Sequence, residues 1–318
     1  MNEMQKNLNL PKIALGTWAW GEDTTSNKVF GNSLTAEDLK PIFDKGMELG
    51  LNLWDTAAVY NNGASEQVLG EFVEDIGREK VILSTKFTPQ IADGTDKAVE
   101  NMFEGSIKRL NTADIDIYWI HNNADVEKWT KAIIPLAKSG KIKYIGVSNH
   151  NLAEIKQANE ILKAEGLKIS AVQNHYSLLD RTSETAGIID YCSENGITFF
   201  SYMVLEQGAL SGKYDTQHPF PENSERASVY NHKLDKLEKL INGMHEVAQK
   251  HDLDVAQIAS AWAIAKGTIP IIGATKVKHI EDAKKASEVT LSDEEVAYLD
   301  LLGDKTEVNT TREWEQNM

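Results

Sequence analysis

The sequence predicts a (β/α)8 barrel, and three observations carry that prediction. Eight short apolar segments alternate with amphipathic helical patterns along the chain. The segments are apolar on both faces and rich in β-branched residues, as strands covered on both sides must be. No G-x-G-x-x-G follows the first segment, so the signature of a dinucleotide-binding open sheet is missing. The 318 residues suffice for one barrel with some excess for insertions. No shift in composition marks a second domain, and residues 1–318 are read as one.

In chain order, the first strand is IALG near 13–16, followed by the helical pattern AEDLKPIFDKGMELG. LNLWD at 51–55 and VILST at 81–85 come next, then the helix AVENMFEGSIKRL. IDIYWI at 115–120 and KYIGVS at 143–148 precede the helix NLAEIKQANEILKAEG. ISAVQ at 169–173 leads into SETAGIIDYCSENG, also read as helical, and ITFFSY occupies 197–202. Several of these helices stop at Gly, which tolerates the left-handed conformation a C-terminus needs. Residues 203–232 are a longer connection rich in Gly, Pro, Asn and Ser, ahead of a helix beginning near 233. A connection of that length after a strand's C-terminal end falls on the face where barrel active sites lie. IPIIG at 269–273 is the eighth strand, with a helix from about 277. The stretch from about 304 to 318 either folds over that face, with Trp314 as an apolar anchor, or hangs as a loosely attached tail.

The balance of 33 basic against 48 acidic side chains leaves a net charge of −15. General nucleic-acid binding needs a basic footprint, so that class is set aside. A local cluster of positive groups can still hold an anion against the overall field. No apolar run approaches a membrane span, and the N-terminus lacks the apolar core of a secretory signal. The single Cys192 excludes an internal disulfide framework and suits a reducing compartment, so the protein is expected in the cytoplasm, away from membranes. The acidic charge favours solubility and leaves the oligomeric state open.

Three predicted strands stop on, or just before, an ionisable residue. Asp55 ends LNLWD, Lys86 follows VILST and His121 follows IDIYWI, while Tyr60 comes five residues after Asp55. Taken alone, each has a bland reading: a turn-forming Asp, a rim Lys, a satisfied core His, a loop Tyr. Taken together, at separate strand ends of one barrel, they form a proton-donating site. A free phenol with a pKa of about 10 is a weak acid near neutrality, and an adjacent ammonium favours its phenolate. Lys86 supplies that ammonium, Asp55 holds it, and His121 steers a carbonyl oxygen. A rival reading makes His121, His150 and His175 metal ligands. They lack a supporting carboxylate pattern, and no metal is expected.

The sequence resembles the aldo-keto reductases. The resemblance rests on LGTWAWG at 15–21, WDTAAVY with Asp55 and Tyr60, STK at 84–86 and the strand before His121. It continues through GVSN at 146–149, Gln173 in VQNHYS, EQGALSGKY at 206–214 and IPIIGATK at 269–276, in order over nearly the whole chain. It implies a barrel that binds a nicotinamide cofactor without a Rossmann domain. It also implies that Tyr60 is the general acid, tuned by Lys86 and Asp55, with His121 orienting the carbonyl. Ser148, Asn149 and Gln173 match positions that hold the nicotinamide carboxamide, and Tyr202 matches the aromatic that stacks on its ring. Gly16, Thr17 and Trp18 match a loop that meets cofactor and substrate. Trp18, Trp20, Tyr60, His121 and Asn122 are the candidates for the substrate pocket.

Met203, Val204, Leu205, Gln207, Gly208 and Lys213 match the loop around the pyrophosphate. The common family text there is Ser-Pro-Leu, so Met203 removes one hydroxyl contact with phosphate. Gly273, Thr275, Lys276, His279, Asp282 and Ala283 match the adenosine-phosphate end. Lys276, with Lys278 and Arg226 as further candidates, suits a 2′-phosphate, although Lys278 is read as a solvated surface lysine. Four other departures stand out. His279, Asp282 and Ala283 replace the frequent Gln, Glu and Asn, and Ala283 cannot make the adenine contact of an Asn. Asn123 occupies the position of a frequent Pro. The expected function is reversible, NADPH-favouring reduction of an aldehyde or ketone, with NADH also usable. The rival from another class is a cofactor-binding regulatory subunit resembling potassium-channel β subunits.

Overall fold

The apolar segments become eight parallel strands that close into a barrel in sequence order, with helices between them. A computed structural model describes residues 1–22, 29–31, 33–312 and 315. The strands are β1 (Ala14–Gly16), β2 (Leu53–Asp55), β3 (Ile82–Phe87) and β4 (Ile115–Ile120). They continue as β5 (Ile142–Ser148), β6 (Ile169–His175), β7 (Thr198–Tyr202) and β8 (Ile269–Gly273). β8 closes on β1, with Gly273 opposite Gly16.

Side chains alternate across a strand, and here the alternation separates two cores. One set faces the helices in a large apolar cluster. The other fills the barrel axis: Ala14, Leu53, Ile82, Ile117, Trp119, Ala171, Phe200 and Ile269. Trp119 reaches the axis because β5 carries Gly146 beside it. A Cβ on Gly146 would lie 2.2 Å from Trp119 Cε3. Below these residues a short helix, Glu3–Leu8, caps the barrel floor, with Met4 buried against the axial cluster and Leu8 and Leu10 packed around it. This helix was not expected. Its signal was nonetheless present in Asn2 and Gln5, which form a capping box.

The structure corrects two local expectations. SETAGIIDYCSENG is not one helix but two, Thr182–Thr185 and Ile188–Glu194, separated where Gly187 takes φ 74°. The connection at 203–232 is not bare loop: it holds helical segments at Glu206–Ser211, Glu225–Tyr230 and Asn231–Lys233 ahead of the long helix Leu234–His251. Ala209, Phe220, Ala227, Tyr230, Leu234 and Leu237 pack these segments into their own small core, and Val308 from the tail joins it. Thr310 and Glu315 are also buried, so the tail meets the barrel at both positions. Trp314, the expected anchor, lies outside the described residues. Among the described residues no helix is long and apolar enough to cross a membrane.

Candidate active site

The same alternation that fills the axis delivers the polar residues. Asp55 is two residues beyond Leu53, Lys86 two beyond Ser84, and His121 two beyond Trp119, so each continues the inward-facing set at the top of its strand. Lys86 and Asp55 are both buried, and Lys86 Nζ donates to Asp55 Oδ2 at 2.5 Å. Two further N–H groups of the ammonium reach Thr56 O at 2.8 Å and the Tyr60 hydroxyl oxygen at 3.5 Å. All three donors of the lysine are therefore directed at acceptors. Asp55 Oδ1 accepts from Ser84 Oγ at 2.6 Å and from Gln173 Nε2 at 3.3 Å. Ser84 Oγ in turn accepts from Trp119 Nε1 at 2.7 Å. The result is a hydrogen-bonded line running from the barrel axis to the phenol.

Tyr60 ends that line at the mouth of the barrel. Its ring meets the edge of His121 at 5.9 Å and stacks on Trp18 at 6.1 Å, and the residue keeps part of its surface open. An ammonium has no lone pair to accept with, so the contact with Lys86 uses the phenol's oxygen. The phenol's own hydrogen is left for the cleft. Burial raises the Tyr60 pKa above its ordinary value; the Lys86 charge pulls it down but does not win, and Asp55 adds to the rise. The expected lowering by Lys86 is thus present but outweighed by desolvation. For Lys86 itself, burial opposes the charge, and Asp55 and then Tyr60 more than offset it, so the ammonium is retained. Burial, with Lys86 second, drives His121 well below the ordinary imidazole value and keeps it neutral. Its Nδ1 pairs with Thr88 Oγ1 at 2.9 Å. When Thr88 donates to Nδ1, the ring proton sits on Nε2, the tautomer that can donate to a carbonyl oxygen.

Around this mouth lie the residues matched to a cofactor. Ser148 and Gln173 are paired across β5 and β6, and Asn149 follows in the left-handed region at φ 60°. Asn149 Nδ2 faces His121 O, Asn122 Oδ1 and Ser148 Oγ, at 2.9, 3.1 and 3.2 Å. Tyr202 caps β7, half-buried, with one ring face on His175. Beyond it Met203, Glu206, Gln207 and Gly208 all have positive φ, a run of turns that exposes backbone rather than side chains. Gly273 is exposed, with no heavy atom within 4 Å of where a Cβ would stand. The helix Val277–Glu288 starts beside it with no side-chain cap, leaving its first N–H groups for another acceptor. Lys276 and Lys213 make no ion pair among the described residues. Arg226 donates to Gln207 O and Phe30 O, while its Nε is buried without a partner among the described residues. An orphaned guanidinium N–H, an uncapped helix start and lysines with no carboxylate partner among the described residues fit a ligand that carries phosphates.

A family model described as the aldo/keto reductase family matches residues 12–304. The chain belongs to the aldo/keto reductase family. It is 30% identical to a chloroplastic pyridoxal reductase of Arabidopsis thaliana over 310 residues, covering 92% of this chain and 83% of that one. It is also 30% identical, over 82% of this chain and 81% of the relative, to a Schizosaccharomyces pombe aldo-keto reductase whose name specifies NADP(+). An aldo/keto reductase from Klebsiella pneumoniae, solved with NADP and acetate, superposes with a TM-score of 0.70 at 26% identity over 92% of this chain and 91% of that one. As a member of the family, the protein is an NAD(P)H-dependent oxidoreductase acting on carbonyl or alcohol groups.

Not every expected residue of this reductase faces the cleft. Trp20 is fully buried, donates to Ala274 O at 2.6 Å and packs on Trp54 and Phe72, so it supports the first loop and touches no substrate. Val204 and Ala283 turn into the apolar core, where only their backbone could meet a ligand. The buried Thr17 hydroxyl donates to Asp55 O and accepts from Ser65. Asp282 is held by Gln257 and Lys278, which also places Lys278 in an exposed ion pair. His279 Nδ1 pairs with Gly273 O and Thr275 Oγ1, at 3.2 and 3.3 Å. Asn122 and Asn123 are rim residues bonded to Gln90 and Glu154. Among the described residues, His121, His150 and His175 do not gather at one metal-sized point.

Sequence reasoning missed a second polar cluster beside the reductase site. His175 is fully buried, with Nε2 on Glu206 Oε1 at 2.7 Å and Nδ1 on Glu315 Oε2 at 2.9 Å. Burial opposes its charge, but Glu206 and then Glu315 overcome this and raise its pKa to about 10. Burial likewise works against the Glu206 carboxylate, and His175 with its hydroxyl neighbours holds that pKa below its ordinary value. Ser177 and Thr310 donate to the same Oε1 of Glu206, and Tyr230 donates to Oε2. Arg312 closes the ring by donating to Tyr230 OH and to Gln207 Oε1.

Proposed function

We propose that this chain reduces aldehydes or ketones with NADPH and that Tyr60 gives the proton to the carbonyl oxygen. One observation carries the reading: the buried line through Asp55 and Lys86 ends on the Tyr60 oxygen, leaving the phenolic hydrogen for the cleft. The bound nicotinamide would supply hydride to the carbonyl carbon. The protein's own part is positional and electrostatic. Neutral His121 donates to the carbonyl oxygen and holds it near the phenol. Lys86 stabilises the phenolate left after transfer, and Asp55 keeps Lys86 charged and in place. The raised Tyr60 pKa suits a proton donor at neutral pH, because the acid stays loaded until substrate arrives. Alcohol oxidation needs the phenolate and is therefore favoured by alkaline conditions.

Ser148, Asn149 and Gln173 would hold the carboxamide, Tyr202 the nicotinamide ring, and the 203–213 segment with Arg226 the pyrophosphate. Lys276 and the uncapped helix start at Val277 favour the extra phosphate of NADPH over NADH, in line with the NADP in the relatives' names. The lone buried Cys192 is consistent with work in a reducing, cytoplasmic setting. The test is NADPH oxidation across small aldehydes, aromatic aldehydes, pyridoxal, sugars, quinones and steroid ketones, with NADH and Tyr60→Phe in parallel. Turnover that requires Tyr60 supports the assignment. Equal turnover without the hydroxyl would remove Tyr60 from the role of acid. Tight NADPH binding with no turnover on any carbonyl would favour a regulatory subunit.

A further inference from the structure

We propose that Glu315, near the end of the chain, is a positioning residue that sets Tyr202 and Asn149 for the nicotinamide. The inference rests on the reductase reading above. The Tyr202 hydroxyl has one hydrogen and faces two acceptors, Asn149 Oδ1 at 2.5 Å and Glu315 Oε1 at 2.6 Å. The amide orientation of Asn149 is fixed, because its Nδ2 already faces His121 O, Asn122 Oδ1 and Ser148 Oγ. A carboxylate is the stronger acceptor, so it can keep the phenolic hydrogen once another donor reaches Asn149 Oδ1. Asn149 Oδ1 then remains as an acceptor at the barrel mouth, where a primary carboxamide can donate to it.

Glu315 also sets the plane of the Tyr202 ring. Its other oxygen accepts from His175 Nδ1 at 2.9 Å and from the Arg312 backbone N–H at 2.6 Å. With Glu206 on Nε2, the His175 imidazole is held at both nitrogens and cannot rotate without breaking a charged hydrogen bond. Tyr202 lies on that fixed ring, centroids 5.6 Å apart and planes 27° apart. Glu315 thus holds Tyr202 twice, by its hydroxyl and through the ring beneath it. Residue 315 is 113 positions away from Tyr202 in sequence, so this control belongs to the tail and not to the barrel.

The test is a double-mutant cycle on NADPH affinity, read from quenching of intrinsic fluorescence in the wild type, Glu315→Gln, Tyr202→Phe and the double variant. Thermal melts accompany each. Glu315→Gln keeps the shape and removes the charge, and is expected to weaken NADPH binding about tenfold, the equivalent of one charged hydrogen bond. In the Tyr202→Phe background the same change should cost clearly less than in the wild type, because the shared hydroxyl is gone and only the route through the His175 ring remains. In steady state KM for NADPH should rise more than kcat falls. A merely structural tail would give the same factor in both backgrounds, and that result would overturn the proposal, as would unchanged affinity in Glu315→Gln. If the wild type binds neither NADPH nor NADH, the cofactor reading itself fails, a result the wild type alone reveals.

Discussion

Two buried cations stand at the top of this barrel, and their surroundings differ in one respect. Lys86 has a single carboxylate partner, and its third N–H is spent on a phenol whose hydrogen is left for the cleft. His175 has a carboxylate on each nitrogen, and those carboxylates are closed off by Ser177, Tyr230, Thr310 and Tyr202. The first cluster is a line with one open end; the second is a closed ring. A line can pass its last proton to a substrate, whereas the carboxylates of the ring are spent on internal partners and contribute position and stability. High charge and deep burial are common to both, so neither marks the catalyst. What distinguishes the proposed catalyst is the open end.

The largest effect should come from removing that end. Tyr60→Phe should lower carbonyl turnover by roughly 10²- to 10⁴-fold, the usual worth of a general acid, while fluorescence titration shows NADPH affinity little changed. Breaking the line further in should act on the fold as well as on turnover. Asp55→Ala leaves Lys86 buried without a counter-charge, and urea unfolding should show a loss of about 3–5 kcal/mol. A smaller loss, of about 1–3 kcal/mol, is expected for Gly146→Ala, because the added methyl collides with Trp119 and shifts the floor under Ser84 and Asp55. Its signature beyond the melt is reduced kcat from displacement of Lys86.

The closed ring should show itself most gently, as a pH dependence. The folded-state pKa of His175, about 10, lies above its ordinary 6.5. Its contribution to stability is therefore complete below about 6.5 and is lost as pH rises through about 10. Glu206 has the opposite sign: its contribution is present above its ordinary value and lost on acidification. Melting temperatures measured from pH 6 to 10 should fall more steeply for the wild type than for His175→Gln. Parallel curves would show that the ring carries no net charge coupling.

The two clusters also differ in how visible they are in the sequence. Asp55, Lys86 and His121 each terminate or follow an apolar strand, and the period-two pattern of that strand fixes the face they occupy. Local information is enough to place them, and it placed the eight strands as well. His175 continues the inward set of β6 in the same way, but its partners are Glu206, in a left-handed turn, and Glu315, 140 residues away. No local pattern pairs them. Trp20 failed for a related reason: its place in LGTWAWG suggested the pocket, while the rings of Trp54 and Phe72, remote in sequence, draw it into the core. The helix break at Gly187 was within reach, since a Gly inside a helical pattern weakens the helix there and takes a left-handed φ without penalty.

The short helix under the barrel has a consequence for proton supply. Met4 seals the floor, and the hydrogen-bonded line above it begins at the indole of Trp119, which donates but cannot accept. Among the described residues, that line therefore has no proton relay below the indole. On the proposed mechanism, the hydrogen that Tyr60 gives away in one turnover would be replaced through the same mouth that admits the substrate. Refilling the acid and releasing the product are therefore successive uses of a single doorway.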